Sequence, residues 1–247
     1  MNKIAIIIPS RLNAQRLPDK PLKLINNKEM ILHVYDLALK TNLGEVIVAT
    51  PDQKIIDTVQ NHGGTAVMTK KEHQTGTDRI FEVFSKKLEN KTDIIINLQG
   101  DMPNLNPSAI EGLATYMQKK TCDIGTLASK IKNEKELKDQ NICKVITNEN
   151  ISNNQFSEAV DFYRTSEKIK TDFIYHHIGI YAFTKEALIR YVSLKRSELE
   201  LKRKLEQLRA LEDGMKINVG YIDNYPLSVD TEKDLLNIKK IMEKNEK

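Results

Sequence analysis

The chain has 247 residues, 40% hydrophobic and 29% charged, with a formal net charge of +4 at pH 7. This composition is typical of a soluble globular protein, and the charge is too balanced to indicate nucleic-acid binding. No apolar run approaches the ~20 residues of a membrane span, and the N-terminal apolar run is too short for a signal peptide. Two cysteines without C-x-x-C spacing indicate buried free thiols. We expect a cytoplasmic protein with no nucleic-acid or membrane partner.

The first predicted element is a buried strand, and a cationic loop follows it. Residues 4–8 are all apolar and end at Pro9, a pattern typical of a strand buried on both faces. The loop carries Arg11, Arg16 and Lys20 and is stiffened by prolines. Because ligands of open α/β sheets bind at the carboxyl ends of strands, we expect this loop to hold a polyanion. A solvated surface loop is the alternative.

Glycine is absent from this loop, since the first glycine is Gly44. Neither G-x-G-x-x-G nor G-x-x-x-x-G-K-[ST] occurs, which argues against a dinucleotide site and a Walker-type site. Guanidinium and ammonium groups must therefore bind any phosphate here.

Strand and helix patterns then alternate. Asp52 is expected to cap a helix with its side chain. Strands are predicted at 45–50, 65–68 and 93–98, and helices at 29–40, 52–59, 77–88 and from Asn106 onward. This alternation predicts a mostly parallel sheet with right-handed crossovers.

The pattern weakens from about 130 to 172, where the chain is polar and rich in asparagine. Short strands at 143–147 and 155–160 predict a hairpin lobe or a sheet edge. A strand at 177–183, a charged helix or helix pair at 194–212, a strand at 219–222 and a helix at 231–243 follow. We expect one domain, 1–247, with a small lobe at about 130–190.

Asp101 follows the central strand, so its carboxylate should face the same crevice as the first loop. Bound Mg²⁺ commonly takes one or two protein carboxylates together with phosphate oxygens. Asp101 is therefore a candidate metal ligand, and the alternative is a turn residue before Pro103.

Asp230 is the second acidic candidate. Thr231 and Asp234 resemble a capping box, so the last helix does not need Asp230 as its cap. Its carboxylate is thus available to a metal, although an aspartate before a helix is more often structural.

Two adjacent histidines, His176 and His177, lie on a predicted strand and must point to opposite faces. Considered alone, they are core or surface histidines, and Glu206 and Gln207 are solvated helix residues.

The motifs together resemble the 3-deoxy-manno-octulosonate (Kdo) cytidylyltransferases, in the family's order and over essentially the whole chain. The matching motifs are Pro9-Ser-Arg11, Arg16-Leu-Pro-Asp-Lys20-Pro-Leu22, His73-Gln-Thr-Gly-Thr-Asp-Arg79, Gln99-Gly-Asp101, His177-Ile-Gly179-Ile-Tyr181, Leu205-Glu-Gln-Leu-Arg209 and Val229-Asp-Thr231.

The resemblance implies a three-layer α/β/α nucleotidyltransferase fold with a mostly parallel, mixed sheet and a small hairpin lobe for acceptor binding and dimerisation. It implies a homodimer that transfers CMP from CTP to the anomeric hydroxyl of Kdo, an acidic 2-keto sugar. The products are CMP-Kdo, activated for lipopolysaccharide biosynthesis, and pyrophosphate. Mg²⁺ is the implied cofactor.

The resemblance also implies roles for residues. The implied catalytic residues are Arg11, Arg16, Lys20, Asp101 and Asp230. The implied nucleotide-binding residues are Pro9, Arg11, Arg16, Lys20, Gln74, Thr75, Gly76 and Arg79. The implied sugar-binding residues are Gln99, His177, Tyr181, Glu206 and Gln207. The implied metal ligands are Asp101 and Asp230.

Three positions depart from the family pattern. Asp19 stands where glycine is usual, Met102 replaces a common acidic residue, and Glu158 stands where arginine is usual. The last change bears on sugar identity more than on reaction class.

Other functions stay open. One is a nucleotidyltransferase for a related acidic sugar, such as amino-Kdo or a sialate-like acid, or a glycosyltransferase with another base or acceptor. Glycosyltransferases of similar fold generally use Asp-x-Asp, which the sequence at Asp101 lacks. Another is a non-catalytic nucleotide-binding regulator.

Overall fold

The structure is a computed structural model that describes residues 3–13, 16–119, 121–152, 155–164 and 173–245. The chain forms two compact units. The first comprises Met1–Glu111 and Pro226–Lys247, and the second comprises Gly112–Tyr225. Among the described residues, no helix combines the length and apolar character that a bilayer crossing requires.

The first unit alternates strands and helices. Its strands are β1 (Ile4–Pro9), β2 (Leu24–Ile25), β3 (Lys28–Glu29), β4 (Gly44–Thr50), β5 (Ala66–Met68) and β6 (Ile94–Asn97). Its helices are α1 (Met30–Lys40), α2 (Gln53–Asn61), α3 (Gly76–Val83), continued by a π-helical turn Phe84–Leu88, and the final helix, Glu232–Asn245. Helix α4 (Pro107–Met117) contains the boundary between the units.

The sheet of the first unit is parallel, in the order β5-β4-β1-β6. Strand β1 pairs on both edges, and Ile4–Ile8 are all buried, as their unbroken apolar run predicts. Because the strands run the same way, Pro9, Thr50 and Asn97 mark one edge of this sheet. The segments that follow them build the site. The small antiparallel pair β2–β3 stands apart from this sheet.

The second unit holds the strands that the polar middle region only partly signals. They are β7 (Ile124–Lys130), β8 (Lys144–Thr147), β9 (Phe156–Tyr163), β10 (Ile174–Thr184) and β11 (Ile217–Tyr221). Helices α5 (Glu134–Lys138), α6 (Lys185–Ser193), α7 (Glu198–Arg203) and α8 (Leu208–Glu212) connect them, so the final helix of the chain is α9.

Pairings in the second unit close into a ring. Strand β10 pairs antiparallel with β7, which pairs parallel with β11. Strand β9 joins β11 to β8, and β8 returns to β10. The pairing is therefore mixed, and β8 with β9 is the predicted hairpin.

The α/β class with a mixed sheet is confirmed. Residues 194–212 form a helix pair, the second of the two forms expected. Strand β7 and helix α6 were not predicted from the sequence, nor were the short elements β2, β3 and α5. The predicted lobe at about 130–190 falls within the second unit, and the expectation of a single domain stays a prediction. Cys122 is buried as expected, whereas Cys143 is half-buried, and both are free.

Candidate active site

A cavity of about 720 Å³ opens at the carboxyl edge of the first unit's sheet. It is lined by the loop after β1, the segment before α3 together with the first turn of that helix, the turn after β6, and Asp230, which lies two residues before α9. The lining residues are Pro9, Ser10, Arg11, Asn13, Arg16, Leu17, Lys20, Pro21, His73, Gln74, Thr75, Gly76, Arg79, Gln99, Gly100, Asp101 and Asp230. All of them belong to the first unit.

The cationic loop is held to the unit at two places. Near its start, the Leu12 amide donates to the Asp52 carboxylate at 2.8 Å. Asp52 is the N-cap residue of α2, as predicted, but its side chain makes no capping hydrogen bond, because this carboxylate accepts the loop amide instead. Further along, Leu17 is only 3% exposed and packs in an apolar cluster with Val229 and Leu235. These anchors position the charged residues on either side of Leu17.

The two acidic candidates are brought together by backbone pairing. The Val229 amide donates to the Asp101 carbonyl at 3.0 Å, which places Asp230 beside Asp101. Thr231 and Asp234 form the predicted cap: the Thr231 amide donates to the Asp234 carboxylate at 2.9 Å, and the Asp234 amide donates to Thr231 Oγ1 at 3.3 Å. The Asp230 carboxylate is thus not used as the helix cap, as the sequence predicts.

Ion pairs connect these acids to the loop cations. Lys20 Nζ lies 2.8 Å from Asp101 Oδ2 and 3.0 Å from Asp230 Oδ1, and Arg16 Nη2 lies 3.1 Å from Asp230 Oδ2. Burial alone would lower the pKa of Lys20, but the charges and hydrogen bonds of Asp101 and Asp230 outweigh it and raise this pKa. Lys20 is therefore a fully charged ammonium at neutral pH.

The donor set fits a cation that arrives with phosphate. In the described ranges of the chain, no group of three or more His, Cys, Asp or Glu side chains is placed to hold a metal ion. Asp101 and Asp230 both approach one nitrogen atom, so two carboxylates can bracket a single cation. Two carboxylates suffice for Mg²⁺ when phosphate oxygens and water complete the octahedron.

A well-capped helix start forms another wall. Thr75 Oγ1 accepts from the Asp78 amide at 3.1 Å, and the Asp78 carboxylate accepts from the Thr75 amide at 3.2 Å. Gly76 follows, and a Cβ there would lie 3.3 Å from Pro9 Cγ. Glycine therefore lets this segment approach the end of β1 closely.

The charged side chains of Glu82 and Arg79, both buried, hold residues 69–76 in place. Glu82 accepts from the Lys70 amide at 2.9 Å and also binds His73 and Lys86. Burial would raise the pKa of Glu82, but hydrogen bonds from Lys86, His73 and the Lys70 amide lower it to about 2. Arg79 donates to Thr69 Oγ1 at 2.5 Å and to the Lys70 carbonyl at 2.9 Å. These contacts set the path of residues 69–76.

Gln99 is oriented by a buried neighbour. Its Nε2 donates to Asn97 Oδ1 at 3.0 Å, and Asn97 Nδ2 donates to Thr77 Oγ1 at 3.3 Å. The side-chain amide oxygen of Gln99, Oε1, lies toward Gly76. Gln99, implied to contact the sugar, thus shares a wall with residues implied to contact the nucleotide.

The remaining candidates belong to the second unit, where they cluster. The rings of His177 and Tyr181 lie 5.5 Å apart, and His177 packs edge-on against Phe162. The Thr126 hydroxyl lies 2.7 Å from the Ile180 carbonyl and 2.9 Å from His177 Nε2. Since its one proton is donated to that carbonyl, Nε2–H of His177 donates to the hydroxyl oxygen.

Burial keeps the side chains of His177 and Tyr181 uncharged. It lowers the pKa of His177 to about 3, with His176 and Arg164 acting in the same direction. It also raises the pKa of Tyr181 well above the usual value, with help from the charge of Glu206. The neighbouring histidine, His176, has different surroundings. Its Nδ1 lies 2.5 Å from Glu136 Oε1, and its ring stacks on Tyr225.

Gln207 is buried, and its Nε2 lies 3.6 Å from Cys143 Sγ. Glu206 is half-buried, and its carbonyl accepts from the Tyr191 hydroxyl at 2.8 Å. The interpretation of both as solvated helix residues is wrong, because the turn before α8 packs into the second unit.

The three departures have distinct surroundings. Asp19 adopts φ 53°, a left-handed conformation that glycine adopts freely and aspartate tolerates. Met102 is buried, and Glu158 is exposed on β9 opposite Asn218. Asp19 is not among the residues that line the cavity.

The cavity contains every implied catalytic and nucleotide-binding residue. Six lining residues were not singled out as site residues: Ser10, Asn13, Leu17, Pro21, His73 and Gly100. All of them except Asn13 lie within the motifs that carry the family resemblance.

The sequence is similar to known cytidylyltransferases over most of its length. A family model described as cytidylyltransferase matches residues 5–217. The chain is 40% identical over 231 residues to 3-deoxy-manno-octulosonate cytidylyltransferase of Paramagnetospirillum magneticum, covering 93% of this chain and 94% of that protein. It is 42% identical over 238 residues to the protein of the same name from Bartonella henselae, covering 96% and 97%.

Solved structures agree. The chain is similar to CMP:2-keto-3-deoxy-manno-octonic acid synthetase complexed with CTP, with a TM-score of 0.89, 34% identity and coverage of 98% of this chain and 99% of that chain. It shares its fold with 4-diphosphocytidyl-2C-methyl-D-erythritol synthase from Anaerococcus prevotii, with a TM-score of 0.65, 15% identity and coverage of 98% and 99%.

Proposed function

This chain belongs to the cytidylyltransferase family and, within it, to the 3-deoxy-manno-octulosonate (Kdo) cytidylyltransferases, and from that premise we propose how its residues work. The enzyme transfers CMP from CTP to the anomeric hydroxyl of Kdo and releases pyrophosphate. The observation that carries the proposed mechanism is the meeting of Lys20, Asp101 and Asp230 in one cavity.

The cations of the first loop bind the triphosphate. The oxygen of the anomeric hydroxyl attacks the α-phosphorus and its proton is released to solvent. The bond from that phosphorus to the α,β-bridging oxygen breaks, pyrophosphate leaves with the bonding electrons, and negative charge rests on phosphate oxygens in between. Arg11, Arg16 and Lys20 neutralise that charge and hold the chain of phosphates in line. Their fixed positions are supported by the anchoring of Leu12 and Leu17.

Asp101 and Asp230 hold Mg²⁺. When bound, this ion supplies positive charge to the reacting phosphate oxygens. The contribution of the chain is to keep the two carboxylates adjacent, through the Val229–Asp101 backbone bond, and to keep Asp230 out of the helix cap.

Residues 74–79 recognise cytosine. Hydrogen bonds of Glu82, Arg79 and the Thr75 capping box hold this wall in place, so that its polar groups can pair with one base edge. A base with a different edge leaves such groups unpaired, at a cost of about 1–3 kcal/mol each. We expect CTP to be used strongly in preference to ATP and GTP.

Gln99, His177, Tyr181, Glu206 and Gln207 bind the acceptor. Neutral imidazole, phenol and amide groups suit sugar hydroxyls, which supports this assignment. The homodimer and the cytoplasmic location belong to the same proposal.

The test measures pyrophosphate release with CTP and Mg²⁺ across a panel of 2-keto sugar acids, followed by ATP, GTP and UTP with Kdo. We expect release with CTP and Kdo that greatly exceeds release with any purine triphosphate. Equal turnover with a purine triphosphate contradicts the base assignment.

The acceptor panel separates the alternatives. Faster release with amino-Kdo or a sialate-like acid moves the acceptor assignment to that sugar. CTP binding without release for any acid indicates a nucleotide-binding regulator. Pro103 stands where an Asp-x-Asp motif starting at Asp101 would need its second acid, which disfavours a glycosyltransferase of that kind.

A further inference from the structure

Both proposed metal ligands are already bonded to a lysine. Lys20 Nζ contacts Asp101 at 2.8 Å and Asp230 at 3.0 Å, and the Lys20 side chain is only 17% exposed. Arg16 contacts Asp230 at 3.1 Å, but its side chain is 59% exposed. Lys20 is therefore the inner cation of this group, and Arg16 is the outer one.

The position of Lys20 is set by its backbone. It begins a short 3₁₀ turn, Lys20–Leu22, in which the Lys20 amide donates to the Leu17 carbonyl at 3.2 Å. Leu17 in turn is buried in the apolar cluster with Val229. The loop and the segment bearing Asp230 are thus held together by packing, and the ammonium is aimed between the carboxylates.

Charge balance has a consequence for cation binding. Two carboxylates face two cationic side chains, so this group of four is electrically neutral. A divalent cation that binds the carboxylates must first displace the ammonium, because two like charges a few ångströms apart repel strongly. Displacement requires another anion for Lys20, and a triphosphate provides one.

We propose that Lys20 is a resident counter-cation that keeps divalent metal off Asp101 and Asp230 until a nucleoside triphosphate draws the ammonium away. The inference rests on the proposed metal ligands. It makes metal binding and CTP binding mutually dependent, with Lys20 as the element that couples them. Coupling of this kind is reciprocal, and typical values are about 5–150-fold.

The test measures Mn²⁺ binding by the electron paramagnetic resonance signal of free Mn²⁺, with and without CTP and with no acceptor sugar present. Because CTP itself binds Mn²⁺, each sample is compared with a protein-free sample of the same CTP and Mn²⁺ concentrations. Wild type should bind Mn²⁺ weakly alone and about tenfold or more tightly with CTP. Lys20→Met should bind Mn²⁺ alone about tenfold more tightly than wild type does, and CTP should tighten its Mn²⁺ binding by a smaller factor than in wild type. The melting temperature of Lys20→Met should rise with Mn²⁺ alone.

Matched variants isolate the lysine. Lys23→Met removes a neighbouring positive charge that forms no ion pair with Asp101 or Asp230 in the described residues, and it should behave as wild type. Lys20→Arg retains the charge and should still exclude Mn²⁺. It also keeps the proposal testable if Lys20→Met folds poorly, since tight Mn²⁺ binding by folded Lys20→Arg in the absence of CTP contradicts exclusion by charge.

The outcomes separate this inference from the proposed function. If wild type binds Mn²⁺ with CTP but Lys20→Met binds Mn²⁺ alone no more tightly than wild type, the role of Lys20 is wrong and the metal site stands. If neither protein binds Mn²⁺ with CTP, or Asp101→Asn binds it as wild type does, the metal assignment falls, and the inference falls with it.

Discussion

The cavity of the first unit and the His177–Tyr181 cluster of the second unit use opposite electrostatics. In the cavity, full charges of both signs lie at or near the surface and compensate one another. In the cluster, burial suppresses charge, and the groups bind through neutral hydrogen bonds. The difference suggests that the cavity serves a highly charged ligand and the cluster serves hydroxyls, so substitutions in the two regions should fail in different ways.

Removing one charge from the cavity should have the largest effect. Asp101→Asn keeps the shape of the side chain and should lower kcat/KM by about 100-fold or more, the scale of losing one preorganised electrostatic group. Its melting temperature should stay near that of wild type, because Lys20 retains Asp230. Asp36→Asn is the matched control, since Asp36 also pairs with a lysine at 2.8 Å but does not line the cavity. Near-normal turnover of Asp101→Asn contradicts the metal assignment.

A crossed pair of variants tests the division of labour. Arg16→Ala should raise KM for CTP by about 10-fold or more, because it removes hydrogen bonds to a charged group. Gln207→Ala should raise KM for Kdo by about 5-fold, the scale of one neutral hydrogen bond. Each should leave the other substrate's KM nearly unchanged. Thermal melting must accompany Gln207→Ala, because Gln207 is buried.

Steady-state kinetics with each substrate varied in turn decides the comparison. An effect of Gln207→Ala on CTP alone, or no effect, contradicts the acceptor assignment. The acceptor residues should then be sought near the exposed Glu158.

The neutral cluster should respond to pH through stability. The pKa of His177 is about 3 in the folded protein, against an ordinary 6.5. Below pH 6.5, His177 is therefore protonated in the unfolded chain but stays neutral in the folded protein. The free energy of unfolding then decreases by about 1.4 kcal/mol per pH unit down to pH 3. His177→Gln keeps a donor for Thr126 and should remove this part of the slope. Denaturant unfolding between pH 7 and 4 measures it, and identical slopes contradict the buried neutral imidazole.

Glu82 should give the smallest effect. Glu82→Gln weakens the support of His73 and the Lys70 amide, and KM for CTP should rise about threefold to fivefold with kcat within about twofold. His73→Ala should not add to it, because both act through one contact. Glu72→Gln, at an exposed neighbouring position, is the control. Fully additive effects contradict the proposed support of His73 by Glu82.

Local patterns in the sequence determined the elements and most of the cavity. The apolar run before Pro9, the motif ending at Asp101 and the capping box at Thr231 each placed a strand end or helix start correctly. Strand ends of a parallel sheet meet at one edge, so these local signals also predicted that Arg11, Arg16, Lys20 and Asp101 converge. The position of Asp230 beside them was implied only by the family resemblance.

Only the tertiary structure decided which groups touch. Lys20 forms ion pairs with Asp101 and Asp230, which lie 81 and 210 residues away in the sequence. The Asp52 carboxylate accepts a hydrogen bond from a loop amide 40 residues away and none from its own helix. The burial of Gln207 and the charge state of His177 could not be predicted from the sequence either. Side-chain periodicity records which face of an element is apolar, whereas a particular long-range contact and the dielectric around it arise only when distant segments pack together.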